Sequence, residues 1–437
     1  MATGSSSQDA LQKAACASDC EKRETRITKE NLYMVLALWM ERFPLQFSKE
    51  QSFKSNSNSK KFKKVGVVFV LPNDRVLAVD CSRDGVHGVA RVMVNHCGKL
   101  EGCKVFVSRK PCSLCAKLLV QSRVSRVFYL PIEPESEDEG ELARADNLFK
   151  VSPVGQSVFV PCVEERVLTK DEKRLPETIT PQDVRTCQDE LFNEWWKTEW
   201  IERAQKCLPW PCLDIRMKNQ VQSDFESLMK WIAVSKSPMD KNIVFRRVRI
   251  TEDFDAVSDA TEEYHDSQMA YHMMIFAKML ARQTDDPKTG VGAVIVKGKD
   301  SVEIATLGWN GFPSKALYGE FPRASDDDAA LETKFPYVIH AEQNALLVRN
   351  TKDLTDGVLF VTKPPCDECA PLIKLSGIKT VVVGETIKKS QGGELTYDLI
   401  REYIREGIVT CYQMETRKTP AKRSASYSEI RKKYKSS

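Results

Sequence analysis

Two short segments in the C-terminal third carry residue types that together could hold a metal ion and move a proton. His340 and Glu342 lie in PYVIHAEQNALLVRN, and Cys366 and Cys369 lie in TKPPCDECA. One neutral imidazole and two thiolates form a three-ligand set for a catalytic zinc, whose fourth position is kept for water. Bound Zn²⁺ lowers the pKa of that water to about 7. The pattern therefore predicts a zinc site that activates water.

Glu342 follows His340 by two positions and is not needed as a ligand. In the same helical turn it would face the water on the zinc. A carboxylate in that place can accept a proton and return it to a substrate, as a general acid and base. The spacing predicts Glu342 as the catalytic residue and His340, Cys366 and Cys369 as zinc ligands.

A C-x-x-C pair also occurs in Cys₄ zinc ribbons, in redox dithiols and among core cysteines. A ribbon needs a second pair about 15–20 residues away, whereas the other pair of this chain, Cys112 and Cys115, lies far upstream. A redox dithiol leaves His340 and Glu342 without a role. The combined H-x-E and P-C-x-x-C pattern favours hydrolytic zinc chemistry and resembles the signature of zinc deaminases.

The surrounding sequence resembles the cytidine and deoxycytidylate deaminase family. The similar stretches are DPKTGVGAVIV (286–296), GWNGFP (308–313), TKFPYVIHAEQNAL (333–346) and PPCDECAPLIKLSGIKTVVV (364–383). The resemblance implies deamination of a cytosine nucleotide, with the same three zinc ligands and with Glu342 as the proton shuttle. It also implies that Asn310 contacts the nucleoside. The family's phosphate-binding groups have no recognisable counterpart after the fourth strand.

A weaker copy of the pattern lies between residues 65 and 130. Its strand and helix candidates follow one another in the order that recurs after residue 291, which indicates an internal duplication. His87, Cys112 and Cys115 repeat the ligand set, but Val89 stands where the glutamate would be. A valine can move no proton, so we expect zinc without catalysis here. Loss of the metal, with the cysteines as plain core residues, stays open.

The element order predicts an α/β fold with two cytidine-deaminase-like three-layer α/β/α domains, of which the N-terminal one is degenerate. Five regions are expected: a flexible N-terminal region with one helix (1–64), the degenerate domain (65–168), a helical connector (169–262), the catalytic domain (263–414) and a basic disordered tail (415–437). The acidic stretch 133–142 is expected to be solvated.

The N-terminal helix candidate covers residues 27–43, with Thr28 available as N-cap. Its apolar positions fall on one face, which favours packing, although the leucine spacing also resembles a nuclear export signal. The tail carries RKTPAKR and RKKYK, two basic clusters that fit a bipartite import signal or a merely solvated tail. We expect import receptors as partners, export receptors as further candidates, and a protein of both cytoplasm and nucleus.

The 437 residues include 14 cysteines and five histidines, and the formal net charge is +4. The polar N-terminus lacks the apolar core of a signal peptide, so free thiols and metal ligands are expected rather than disulfides. No apolar run approaches the ~20 residues of a membrane span, and no membrane association is expected. The small charge argues against a polynucleotide-binding surface, and the tryptophans at 195, 196 and 200 are interpreted as packing residues.

We expect zinc-dependent hydrolytic deamination of deoxycytidine nucleotides, with dCTP favoured over dCMP. The preference rests on the two-domain layout, which resembles a vertebrate family member regarded as a dCTP deaminase. The alternatives are deamination of dCMP or cytidine, deamination of cytosine in RNA or single-stranded DNA, and a non-catalytic nucleotide-binding scaffold.

A duplicate without catalysis often persists as an assembly surface, so a homo-oligomer is expected. Arg323 is a candidate phosphate contact or a solvated charge, and His272 is expected to pack in a core.

Overall fold

A computed structural model describes both halves of the chain and part of the connector between them. The described residues are 26–44, 62–164, 179–192, 214–236, 242–253, 255–286, 288–298, 302–313, 321–322, 333–387 and 395–417. Residues 1–25 and 45–61 of the predicted flexible N-terminal region (1–64), the basic clusters of the tail apart from Arg417, the tryptophans at 195–200 and Arg323 lie outside these ranges.

Five short strands form the sheet of the N-terminal half. They are β1 (Gly66–Val70), β2 (Val76–Cys81), β3 (Lys104–Val107), β4 (Arg126–Tyr129) and β5 (Gly155–Val158), and they lie in the order β2-β1-β3-β4-β5. The helices described in this half are α1 (Lys29–Met40), α2 (Gly88–Asn95), α3 (Ser113–Gln121) and α4 (Glu139–Lys150). The strands are rich in valine, whose branched side chain packs well on a pleated surface.

The connector between the two sheets is only partly helical. Its described helices are α5 (Pro181–Phe192) and α6 (Ile215–Lys236), and strands β6 (Ile243–Ile250) and β7 (Ala256–Glu263) follow as an antiparallel hairpin. The helical connector predicted for 169–262 is therefore too long. The run IVFRRVRI is rich in β-branched residues, which favour strands. It pairs with the strand Thr410–Thr416 of the second sheet, and its residues Phe245 and Val248 are buried.

Seven strands form the second sheet, in the order β7-β6-β12-β11-β10-β8-β9. The remaining elements are α7 (Ser267–Ala281), β8 (Gly292–Lys297), β9 (Glu303–Trp309), α8 (Ala341–Val348), β10 (Val358–Val361), α9 (Cys369–Leu375), β11 (Thr380–Val383), α10 (Asp398–Arg405) and β12 (Thr410–Thr416).

The five strands β9-β8-β10-β11-β12 repeat the first sheet, β2-β1-β3-β4-β5, strand for strand. In both copies the first two pairings are antiparallel and the last two are parallel. This confirms the predicted duplication and the predicted α/β class. The β6–β7 hairpin extends only the second copy.

Alternating side chains divide the second sheet into two buried faces. Val294, Phe360 and Val382 join the core that contains α7, whereas their neighbours Ala293 and Leu359 join the core that contains α8, α9 and α10. Successive side chains of a strand point to opposite faces, so helices cover the sheet on both sides. The result is the predicted three-layer arrangement, and it places α8 and α9 together on one face.

Helix α1 is confirmed, but it is buried all round rather than on one face. The Thr28 hydroxyl accepts a hydrogen bond from the Asn31 backbone N–H, as an N-cap. All residues from Asn31 to Met40 are buried, because the helix lies between the first sheet and the C-terminal half. The leucines at positions 32, 36 and 38 have no exposed surface, so the fold leaves no export signal accessible in this helix.

The two halves share one hydrophobic core. Trp39 of α1 stacks on His272 of α7, with ring centroids 5.0 Å apart, and its indole N–H donates to the His272 carbonyl at 3.3 Å. Asn350 Nδ2 donates to the Leu77 carbonyl at 3.1 Å. His272 is thus a packed core residue, as expected. Across the described ranges, no helix combines the length and apolarity that crossing a bilayer requires.

We expect His272 to make the joint between the halves sensitive to acid. Burial lowers the pKa of its imidazole to about 3, whereas an unfolded histidine titrates at about 6.5. Between about pH 6.5 and pH 3 this histidine is protonated in the unfolded state but neutral in the folded state. Stability therefore falls as the pH drops through this range. For His272→Phe, the loss of unfolding free energy between about pH 7 and about pH 5 should be smaller by roughly 2 kcal/mol. Chemical denaturation at the two pH values measures this difference.

His265→Phe is the matched control, because His265 is exposed. Its denaturation should keep the pH dependence of the unsubstituted chain. Equal pH dependence in the His272 variant and in the unsubstituted chain would contradict the assignment.

Candidate metal centre and active site

His340 is placed by the start of helix α8. It is the N-cap residue in extended conformation, and its backbone N–H donates to Gln343 Oε1 at 2.9 Å. The preceding residue, Ile339, exchanges two backbone hydrogen bonds with Gly311, at 2.9 and 3.0 Å. The segment is therefore held at both ends, and the His340 ring has a defined position.

Helix α8 lies directly against strand β9 because Gly308 has no side chain. A Cβ at Gly308 would lie 2.5 Å from the Ala341 carbonyl oxygen and 2.5 Å from the Ala345 backbone nitrogen. Such contacts are too short for any other residue without a shift of the helix. The glycine of GWNGFP thus sets the distance between this strand and the helix that carries Glu342.

Cys366 and Cys369 are brought to His340 by the turn that begins α9. The Cys369 backbone N–H donates to the Cys366 carbonyl at 3.0 Å, and Cys369 is the first residue of the helix. Their sulfur atoms lie 3.2 and 3.3 Å from His340 Nδ1. Since β9 and β10 are both antiparallel to β8, they run in the same direction, and the loop that follows β10 opens at the same sheet edge as the segment from β9 to α8.

The thiol of Cys366 loses its proton more readily than an ordinary cysteine. A hydrogen bond from the Cys369 thiol lowers the pKa of Cys366 to about 4, and the same bond raises the pKa of Cys369. A hydrogen bond with Cys366 also raises the pKa of His340. A thiol that coordinates a metal ion is deprotonated outright. One imidazole nitrogen and two buried sulfurs within 4.8 Å of one another match the donor set of Zn²⁺.

Glu342 lies beside the three ligands but outside the set. It occupies the first turn of α8 and is only 4% exposed. Burial raises the pKa of its carboxyl to about 7. A carboxyl of that pKa can accept and donate a proton near neutral pH.

Two of the metal ligands, His340 and Cys366, and Glu342 face a cavity of about 340 Å³. This volume lies in the range of pockets for small molecules. The cavity is lined by His340, Cys366, Glu342, Asn310, Tyr397 and three lysines, at 288, 334 and 363.

Asn310 lines this cavity, and its amide is bonded to the neighbouring loop. Its Oδ1 accepts from the Val291 backbone N–H at 2.7 Å, and its Nδ2 donates to the Thr289 carbonyl at 2.8 Å. The residue is 4% exposed. It holds the loop 289–291 against the end of β9, which is a positioning role that the motif did not reveal.

The structure also assembles the predicted ligands of the N-terminal copy. His87 Nδ1 lies 3.6 Å from Cys112 Sγ and 3.5 Å from Cys115 Sγ, at the starts of α2 and α3. Val89, in the position that corresponds to Glu342, is 2% exposed and belongs to the hydrophobic core. The copy therefore keeps its metal-binding residue types and lacks the shuttle carboxylate.

Glu135 belongs to this cluster, although it was missed in the sequence. The stretch 133–142 was expected to be solvated, but Glu135 is 1% exposed and its Oε1 lies 2.7 Å from His87 Nδ1. From Glu139 onward the same stretch forms helix α4. A carboxylate placed shortly after β4, whose end lies at the ligand edge of the sheet, was the available signal.

Comparisons with known proteins agree with both copies. The family model "Cytidine and deoxycytidylate deaminase zinc-binding region" matches residues 41–131 and 266–385. "Cytidine and dCMP deaminase domain-containing protein 1" of Danio rerio is 28% identical over 85% of this chain and 87% of that protein. Human deoxycytidylate deaminase is 37% identical over 25% of this chain, and the match spans 61% of its own length.

A phage relative and one solved structure complete the comparison. The deoxycytidylate deaminase of a Mycobacterium phage is 36% identical over 24% of this chain and 86% of its own. A cyanophage dCMP deaminase, solved in complex with dCMP and dUMP, matches with 24% identity and a TM-score of 0.28, covering 34% of this chain and 99% of its own. Two zinc-type ligand clusters, one in each half, account for the double family match. The chain therefore belongs to the cytidine and deoxycytidylate deaminase family.

Proposed function

We propose that the C-terminal half hydrolyses the 4-amino group of a deoxycytidine nucleotide, with dCTP as the preferred substrate. The observation that carries the proposal is Glu342, a carboxyl that is 4% exposed and has its pKa raised to about 7 by burial. It lies in the same cavity as the ligands His340 and Cys366. A carboxyl tuned in this way beside a zinc-type donor set suits hydrolysis that needs repeated proton transfer.

The roles of the residues follow from the atoms that must move. His340, Cys366 and Cys369 would hold Zn²⁺, which would lower the pKa of a bound water molecule to about 7. Glu342 accepts a proton from the attacking water while the C4–O bond forms, and delivers that proton to N3. It then takes the remaining hydroxyl proton to the 4-amino nitrogen, the C4–N bond breaks and ammonia leaves. Water thus supplies the oxygen of the uracil product and both protons.

Asn310 and Tyr397 are the proposed positioning residues for the nucleoside. Both line the cavity with Glu342. Asn310 acts mainly through the loop it holds, because its amide already bonds the backbone of Val291 and Thr289. This loop borders the cavity, so its position sets the space available to the sugar or base.

Charge at the cavity supports a phosphorylated substrate. Lys334 forms an ion pair with Asp286, and both side chains are almost fully buried, so this lysine is already neutralised. Lys363 is 36% exposed and lies 3.7 Å from Glu385, a loose pair that a phosphate could replace. A triphosphate brings the largest negative charge to this amine, which favours dCTP, with dCMP second.

Product analysis with four substrates tests the proposal. The purified chain is incubated with dCTP, dCMP, cytidine and a cytosine-containing oligonucleotide, and each uracil product is quantified. The expected result is dUTP as the fastest product and dUMP as the second. Product only from the oligonucleotide would support a polynucleotide deaminase instead, and no product from any of the four would leave a non-catalytic zinc protein.

Two further proposals concern the whole chain. A homo-oligomer is proposed because the non-catalytic copy is kept as a folded unit; light scattering that gives a single 49.5 kDa species with and without nucleotide would contradict it. Presence in both nucleus and cytoplasm is proposed from the two basic clusters of the tail, of which the structure describes only Arg417. Deletion of 415–437 without a change in distribution would contradict the import part.

A further inference from the structure

The N-terminal cluster differs from the catalytic one in having a carboxylate as a fourth member. His87, Cys112, Cys115 and Glu135 each offer one ligand atom, and these atoms all lie within 4.8 Å of one another. The corresponding cluster around His340 has only three members among the described residues. The difference lies at the position that a catalytic zinc keeps for water.

Glu135 is fixed in this place by contacts on both sides. Its Oε2 accepts from the Cys112 backbone N–H at 2.8 Å, and its Oε1 lies 2.7 Å from His87 Nδ1 and 3.7 Å from Cys115 Sγ. Its backbone N–H donates to the Lys110 carbonyl at 3.0 Å, and its carbonyl accepts from the Lys63 N–H at 2.8 Å. A buried carboxylate is costly unless it is paired or binds a metal ion. Glu135 is paired with His87, and a metal ion bound by both side chains would take the place of that pairing.

The distances within the cluster suit one tetrahedral ion. Ligand atoms about 2.0–2.3 Å from a tetrahedral zinc lie about 3.3–3.8 Å from one another. The two His87–cysteine distances, 3.6 and 3.5 Å, and the Cys115–Glu135 distance, 3.7 Å, fall in that range. The His87–Glu135 distance of 2.7 Å is that of a hydrogen bond and must lengthen by only about half an ångström when both groups bind the ion.

An aromatic ring packs against the imidazole of His87. Phe62 contacts the His87 ring edge to face, with centroids 4.9 Å apart. Phe62 is held there by a β-bridge to Ser136, the residue after Glu135. The paired segments 62–63 and 135–136 therefore lie together beside the cluster.

We propose that the N-terminal half contains a closed structural zinc site, in which Glu135 takes the fourth position and no water can bind the metal. Val89 is then one of two independent reasons for the absence of catalysis in this half. The absent carboxylate removes the proton shuttle, and Glu135 removes the place for the attacking water. Restoring a glutamate at position 89 would not restore deamination while Glu135 remains.

Metal analysis and an anion probe test the closed site in the whole chain. The purified protein should hold two zinc ions per chain. After replacement by Co²⁺, azide should change the absorption of only one of the two cobalt ions, because only the C-terminal site has an open position. One metal ion per chain, or an azide response from both cobalt ions, would overturn the proposal. Neither readout needs turnover, so both are independent of the proposed deamination.

Variants in a chain that carries C366A and C369A isolate the N-terminal metal. In that background the single cobalt should not respond to azide. Adding Glu135→Ala should make it responsive and weaken zinc binding at least roughly 10- to 100-fold, the loss typical of removing even an outer-shell partner of a metal ligand. Glu133→Ala is the matched control, since Glu133 pairs with Lys63 and Arg109 and lies outside the cluster. An azide response already present with Glu135 intact contradicts the closed site, even if the Glu135 variant does not fold.

Discussion

Replacing Glu342 by glutamine is expected to lower the rate of deamination by about 10²–10⁴-fold, the usual contribution of a positioned acid–base group. Glutamine keeps the length and shape of the side chain but cannot accept a proton. The loss should appear in kcat with little change in KM, because the Glu342 carboxyl transfers protons in the chemical step and is not needed to bind the substrate. Zinc content should stay at the level of the unsubstituted protein, because Glu342 is not a member of the ligand cluster.

The measurement pairs steady-state kinetics with metal analysis on the same preparation. Glu368→Gln is the matched control: Glu368 is a carboxylate of the same loop as the cysteines but is exposed. Its kcat should stay near that of the unsubstituted protein. A Glu342 variant that turns over at the unsubstituted rate would remove the shuttle mechanism, and a parallel loss of zinc would make Glu342 a structural residue instead.

Replacing Cys369 by alanine is expected to abolish turnover by a different route. Two of the three ligands remain, which is too few for a stable catalytic zinc site. The zinc content should fall from two ions per chain to one, since the N-terminal cluster at His87 is untouched. Uracil formation should fall to the background of the assay.

Cys411→Ala separates loss of a ligand from loss of packing. Cys411 and Cys369 both have no exposed surface, so their removal leaves comparable cavities. Cys411 lies on β12 and outside both ligand clusters. The Cys411 variant should keep two zinc ions and its activity, whereas equal loss in both variants would show that packing alone explains the Cys369 effect.

The two copies show how one scaffold separates metal binding from catalysis. Each copy places a histidine at the start of one helix and a C-x-x-C turn at the start of the next, after two strands that run in the same direction on either side of a third strand. The C-terminal copy has Glu342 beside a cluster of three possible ligands. The N-terminal copy has Val89 in the position of Glu342, and Glu135 is a fourth member of its cluster, which is the basis of the structural role proposed for it.

Local spacing was enough to predict the ligand clusters and the duplication. His340 and Glu342 share one helical turn, and Cys366 and Cys369 share one tight turn, so each pair is placed by its own segment. The two pairs then meet because the strands that precede them, β9 and β10, both pair with β8. The duplication could be predicted because the valine-rich strand candidates follow one another along the chain in the same order in both halves.

The elements that were missed depend on partners far away in the chain. Strand β6 of the hairpin pairs with the edge of β12, which lies far away in the chain. The sequence before β6 carries no local signal of that pairing. The burial of α1 on all sides comes from a second half that packs on it through His272. The bonds that engage the Asn310 amide come from a loop that meets it only after β8 and β9 have paired.

The amino-acid sequence by itself determined which side chains can reach one metal ion, since that depends on short spacings within helices and turns. Only the tertiary structure decided that a fourth possible ligand, Glu135, lies beside His87, Cys112 and Cys115. Glu135 carries no motif and lies in an acidic stretch, and it becomes a cluster member because segments 62–63 and 135–136 meet over His87. Burial and closure are set jointly by non-adjacent segments, so no local pattern can encode them.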